Sequence, residues 1–143
     1  MKLGEEMENT IVVAVKGVIV HKGKVLIVKR AADDVGGGTW ECVGGKIDFG
    51  EQLETALIRE IEEEVGLTIT VEKILYATTF NTDPTRQVVI LTYLCRCDSE
   101  AVILSEEHSE YLWATSKKMK AMLAPGIVTD FEKYDVFKLE GLH

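Results

Sequence analysis

Residues Gly45 to Leu67 read GKIDFGEQLETALIREIEEEVGL. A glycine turn opens the stretch, a helical pattern follows, and a second glycine closes it. Leu53, Ala56, Leu57, Ile61 and Val65 recur at helical spacing and predict the buried stripe of a helix from about Glu51 to Val65. Glu60, Glu63 and Glu64 stand at i, i+3 and i+4, which places them on one face at the border of that stripe. Three adjacent carboxylates repel one another, so a bare helix gains nothing from them. A hard divalent cation among the oxygens would turn the repulsion into attraction. The plain alternative is a solvated acidic face, the usual meaning of a charge run. Gly66 suits a left-handed C′ position with Leu67 making the accompanying apolar contact, so Gly66 is explained without chemistry.

Spacing favours the cation. From Gly45 there are five residues to Glu51 and seven more to Arg59. Then come Glu60, the apolar Ile61, Glu63, Glu64, Gly66 and the apolar Leu67. This resembles the Nudix box of the MutT/Nudix hydrolase family, with every specified position filled. Seven fixed and two apolar positions would match by chance roughly once in ten million chains of this size, too seldom for an acidic face to be the simpler account. The resemblance continues through VKRAADDVGGGTWECVGGKIDFGE, Val28 to Glu51, and EEHSEYLWA, Glu106 to Ala114.

What the resemblance implies is an α/β fold, the Nudix-type α/β/α sandwich around a mixed central sheet. It also implies a Mg2+-dependent hydrolase, with Mn2+ as a substitute. Such an enzyme cleaves a nucleoside diphosphate linked to another moiety, here most simply a nucleoside triphosphate giving monophosphate and pyrophosphate. Glu60, Glu63 and Glu64 supply hard ligands, and Glu60 is the favoured base as well as a ligand. The resemblance places a backbone ligand at Gly44, an orienting role at Arg59 and a further metal carboxylate at Glu110, with Glu106, Glu107 and His108 as neighbouring competitors. His108 by itself reads as a surface histidine. Glu51 counts among the catalytic candidates with Glu60, Glu63 and Arg59; its charge suits the helix dipole, which alone could explain it, and direct contact with the metal is the alternative. Arg30 and Lys46 are expected phosphate contacts.

Two departures bear on substrate. Val43 stands where the family usually has proline, so a looser turn is expected. MutT-type enzymes place a purine-reading asparagine after the last helix, where this chain has LAPGIVTD. The alternatives are hydrolysis of ADP-ribose or a nucleotide sugar, and a nucleotide-sensing module without turnover. Pro84 lies seventeen residues beyond Leu67, near the spacing of ADP-ribose-cleaving members, but it also reads as a turn proline. A non-catalytic module is expected to lose box carboxylates, and none is lost here.

Composition sets the bounds. The chain has 143 residues and a formal net charge of −8, which predicts one domain and disfavours a nucleic acid polymer as partner. No apolar run is long enough to span a membrane, and the acidic start is not a secretory signal. Cys42, Cys95 and Cys97 are odd in number and read as free packing thiols in a reducing cytoplasm. A homodimer is compatible with the family. Residues 1–9 read as a tail. Strands are expected at Thr10–Val20, Val25–Lys29, Trp40–Val43, Ile69–Phe80, Gln87–Cys97 and Tyr111–Ala114, with 31–39 as a glycine-rich rim loop. A helix capped by Thr115 or Ser116 is expected to stop at Pro125, and Thr129–His143 is either a helix or an extended tail.

Overall fold

The computed structural model describes residues 8–32 and 37–143. Among the described residues seven strands form one sheet: β1 (Thr10–His21), β2 (Lys24–Arg30), β3 (Trp40–Glu41), β4 (Val43–Lys46), β5 (Ile69–Asp83), β6 (Arg86–Cys97) and β7 (His108–Ala114). The helices among the described residues are α1 (Leu53–Val65), α2 (Ser116–Met122) and α3 (Pro125–Lys133), followed by a 3₁₀ turn at Val136–Lys138. The strand order is β3-β2-β1-β6-β5, with β4 also on β1 and β7 also on β2. β1 and β6 run parallel while the other pairs are antiparallel, so the sheet is mixed. β1 is the fork of the fold: β6 flanks most of its length, while β4 takes its other side first and β2 takes it at the end.

Strand alternation divides the core between two layers. Val15 and Ile19 of β1, Leu26 and Val28 of β2, and Cys95 of β6 pack with Ala56, Leu57, Ile61 and Val65 of α1. Val18, Val20, Val25, Ile27 and Leu94 point the other way and pack with Met119, Leu123, Phe131 and Val136. The result is the expected α/β/α sandwich. Gly17 lies between Val15 and Ile19 on the α1 face, and a Cβ there would stand 2.9 Å from Ile61 Cδ1. The absent side chain lets the helix lie close on the strand. Gly66 takes φ 71° and ends α1, donating its N–H to the Glu62 carbonyl.

Four local expectations are corrected. Trp40–Val43 is two strands, and Gly44 and Gly45 lie within β4, paired with Lys16 and Val15. Val43 is therefore a sheet residue opposite Gly17 and fully buried, so the proline's absence leaves no loose turn. Pro125 starts a helix instead of ending one; α2 stops at Met122, and Pro125 fits the first position of α3, where its missing N–H is not needed. The last residues form neither a long helix nor a free tail: after the 3₁₀ turn, His143 N–H reaches the Gly23 carbonyl at 2.7 Å. The rim loop falls partly outside the described residues, Gly36 included.

Ile61 is fully buried between α1 and the sheet. Ile61→Ala should lower unfolding free energy by about 2–5 kcal/mol, measured by urea denaturation at constant slope. A loss below about 0.5 kcal/mol would mean that the helix is not seated as described.

Candidate active site

α1 presents its acidic residues to three different surroundings. Arg59 gathers the outer ones. Its Nε donates to Glu51 Oε2 at 2.7 Å and its Nη2 to Glu51 Oε1 at 2.8 Å, a two-point clamp. Nη1 donates to Glu60 Oε1 at 3.0 Å and to Glu63 Oε2 at 3.2 Å, and Nη2 also reaches the Lys46 carbonyl at 3.3 Å. The Arg59 bond, followed by one from the Asp48 N–H, brings the Glu51 carboxyl down to about 2. Glu51 is thus committed to orienting Arg59, beyond any helix-dipole effect. Glu63 is mostly exposed, on the flank shared with Thr55 and Ile58.

Glu60 turns inward over β4. A Cβ on Gly45 would collide with the Glu60 carboxylate, so only glycine lets that group lie against the strand. Gly44 answers a different constraint: its Cβ would strike the Val15 carbonyl across the β1–β4 pairing.

Glu64 goes deepest, with only 5% of its side chain exposed. Backbone bonds bring it company. Ile103 N–H donates to the Val65 carbonyl and Ser105 N–H to the Glu64 carbonyl, strapping the loop before β7 along the end of α1. Ala31 N–H holds the Glu107 carbonyl, and a bulge between Lys29 and Arg30 sets Arg30 opposite His108. Ligand atoms of Glu64, Glu107 and His108 consequently lie within 4.8 Å of one another.

Two sequence expectations change here. Glu110 does not join Glu64; register places it opposite Lys29, whose Nζ lies 3.2 Å from its carboxylate on the exposed face of the β2–β7 pair. The carboxylate supplied by this loop is Glu107. His108 is buried rather than at the surface, with 2% of its side chain exposed. Its Nε2 lies 3.1 Å from Glu41 Oε2. Glu41 also receives Arg30 Nη1 at 3.1 and 3.2 Å and stands 3.5 Å from Lys16 Nζ. Burial alone would raise the Glu41 carboxyl, but His108, Lys16 and Arg30 together bring it down to about 2. Neither Lys16 nor Glu41 was among the residues expected at the site. Their signal was present, since each is a lone charge in an otherwise apolar strand run.

Two cavities adjoin this network. An open cleft of about 630 Å³ is lined by Lys16, Arg30, Gly44, Gly45, Lys46, Glu60, Glu106 and Glu107. A more apolar one of about 640 Å³ lies between the sheet and α3, walled by Tyr76, Phe80, Ile90, Ile127 and Phe131, with Thr78 and Asp130 as polar points. Lys16 borders both. The first cavity carries charge suited to phosphates and cations, and the second has the size and surface of a pocket for a flat ring. Pro84 borders neither; it sits in the turn between β5 and β6. Cys42, Cys95 and Cys97 are all buried and free. Burial pushes the Cys42 and Cys95 thiols up to about 12, so they are packing groups rather than nucleophiles.

The donor set fits a divalent cation. Burial, and next the neighbouring Glu107, push the Glu64 carboxyl well above the ordinary carboxylate range. Glu64 Oε2 and His108 Nδ1 are buried without a hydrogen-bond partner among the described residues. Such a pair of orphaned acceptors is stable with a proton or a cation between them and unfavourable without one.

The sequence agrees with known proteins along most of its length. The family profile for the NUDIX domain matches residues 9–132. A MutT-like protein of Streptomyces ambofaciens is 31% identical over 112 residues, covering 78% of this chain and 69% of that one. A CTP pyrophosphohydrolase of Escherichia coli K12 is 27% identical over 121 residues, covering 84% and 88%. The crystal structure of a MutT protein from Methanosarcina mazei Go1 superposes with a TM-score of 0.81 at 27% identity, covering 93% of this chain and 99% of that one. The chain belongs to the NUDIX family and is one of its hydrolases.

Two outcomes test this geometry. Gly45→Ala should leave the fold intact by circular dichroism yet displace Glu60, lowering turnover at least about tenfold; unchanged turnover would show that Glu60 need not lie against β4. The second concerns pH. With divalent ions chelated, folded Glu64 keeps a proton that the unfolded chain has released above the ordinary carboxylate range. Folding therefore binds protons, and stability should fall as pH rises from about 4.5 to about 9. Glu64→Gln should flatten that slope in urea melts, and an equal slope in both proteins would contradict the buried carboxyl.

Proposed function

We propose that this chain hydrolyses nucleoside triphosphates to the monophosphate and pyrophosphate, with Mg2+ as its cation and the whole chain acting as one hydrolase domain. The observation that carries the reading is the adjacency of the two cavities: a charged cleft at the box helix opens beside a mostly apolar pocket of about 640 Å³, roomy enough to admit a nucleobase, with Lys16 bordering both. The triphosphate would lie in the first and the base in the second. One E. coli relative bears the name CTP pyrophosphohydrolase, which supports a triphosphate over a nucleotide sugar. Pro84 stands away from both cavities and lends no support to ADP-ribose as substrate.

Glu60, Glu64 and Glu107 would hold the cation, with Gly44 beside them and Glu63 within reach of the same guanidinium as Glu60. When bound, a divalent cation neutralises phosphate charge and lowers the pKa of a coordinated water. The chain's residues supply the rest. Lys16, Arg30 and Lys46 line the cleft with positive charge for the phosphates. Glu60, held on one oxygen by Arg59, turns the other toward β4 and the cleft, where it can accept a proton from the attacking water. Arg59 holds Glu60 in place, and Glu51 holds Arg59. No helix among the described residues is long and apolar enough to cross a membrane, and the unbridged cysteines are consistent with the expected reducing cytoplasm.

The test is product analysis by ion-exchange chromatography with CTP, GTP, ATP, UTP and ADP-ribose, each with Mg2+. Pyrophosphate together with a monophosphate is the expected result. Glu60→Gln should retain its fold while losing about 10²- to 10⁴-fold in kcat. Turnover of ADP-ribose alone, or full activity in the variant, would overturn the proposal.

A further inference from the structure

We infer that His108 is a nitrogen ligand of the cation site, so that this site favours later first-row divalent ions over Mg2+ in binding, whichever ion is used for turnover. The inference rests on the preceding reading that Glu64 holds a metal.

The geometry points there in three steps. The side chain of His108 is 2% exposed and that of Glu64 is 5% exposed, so neither can turn to solvent for a partner. His108 Nε2 faces the Glu41 carboxylate at 3.1 Å, and that carboxylate is fixed by Arg30 and Lys16. Nε2 therefore carries a hydrogen, and Nδ1 is the ring atom left to face a cation.

Nδ1 has no hydrogen-bond partner and points at the deepest carboxylate of α1, 3.7 Å from Glu64 Oε1. That separation is too long for a hydrogen bond. Glu64 Oε2 is orphaned as well, and Glu107 completes the group. A ring nitrogen and two carboxylates converge, and among the described residues Glu64 Oε2 and His108 Nδ1 have no hydrogen-bond partner.

The remaining feature is the carboxylate behind the imidazole. Metal-binding histidines commonly give their other N–H to a carboxylate, which fixes the tautomer and strengthens the donor nitrogen. Glu41 stands in that position. Mg2+ prefers oxygen and gains little from imidazole, whereas Co2+ and Ni2+ gain much, and Mn2+ accepts either donor. Selectivity should follow from the one nitrogen.

The test uses the whole protein and Mn2+ as a paramagnetic probe. Pulsed electron paramagnetic resonance on the Mn2+-loaded wild type should show nitrogen modulation that changes to the ¹⁵N pattern when only histidine is labelled. His21 lies at the end of β1, and His143 is tied to Gly23 in the adjacent turn, so His108 is the histidine at the site. Titration calorimetry should show Co2+ binding weakened about tenfold or more in His108→Gln, with Mg2+ binding changed by less than about threefold. Should that variant fail to fold, the labelled wild type decides alone. Mn2+ that binds, and is lost in Glu64→Gln, without a histidine signal would overturn the nitrogen ligand and leave the proposed function standing. Mn2+ binding indifferent to Glu64→Gln would overturn the metal reading and this inference with it.

Discussion

The close seating of α1 on the sheet is the constraint from which the rest follows. Two glycines permit it. At Gly17 the strand has no side chain to hold Ile61 away, and at Gly45 it has none to displace the Glu60 carboxylate. Apolar burial along Ala56, Leu57, Ile61 and Val65 supplies the driving force. That same force carries the carboxylates at the edge of the stripe into the protein. Glu64 is buried because it flanks Ile61 and Val65, and its chemistry follows from that position.

Burying acids beside a helix is unfavourable unless each finds a partner. The protein meets this differently along α1. Glu51, Glu60 and Glu63 share one guanidinium, Arg59. Glu41, on β3, has Lys16, Arg30 and His108. Glu64 stands apart: it is buried beside Glu107 and His108, and its Oε2 has no hydrogen-bond partner among the described residues. The first two groups are held by cationic side chains of the chain itself, whereas Glu64 belongs with Glu107 and His108 to a group that could hold a metal ion.

The same sheet borders both the charged cleft and the apolar pocket. β1 contributes Lys16 where charge is needed, with Val15 and Val18 beside it in opposite core layers. The apolar pocket exists because α3 and the long β5 extend beyond the region covered by α2. The short α2, the Pro125 break and α3 turn the chain so that Phe131 and Ile127 close one wall, and the C-terminal residues return to the β1–β2 turn.

The box, the helix and its cap and the central strands were legible in the sequence, because they depend on local spacing: period 3.6 for α1, β-branched runs for β1 and β6, and fixed intervals from Gly45 to Leu67; the layered α/β/α class followed from the resemblance those intervals carry. Arg59, Glu51 and Glu60 interact within one turn-and-helix unit, so their grouping too could be read from spacing. The loop carboxylate could not. Glu107 and Glu110 are three residues apart, and the choice depends on a bulge at Lys29/Arg30 and on backbone bonds from Ser105 and Ala31 to partners far away in the chain. The burial of His108 and the roles of Lys16 and Glu41 were likewise decided only when three strands and one helix met. Periodicity records which way a side chain faces along its own element; it holds no information about which distant charge will stand opposite.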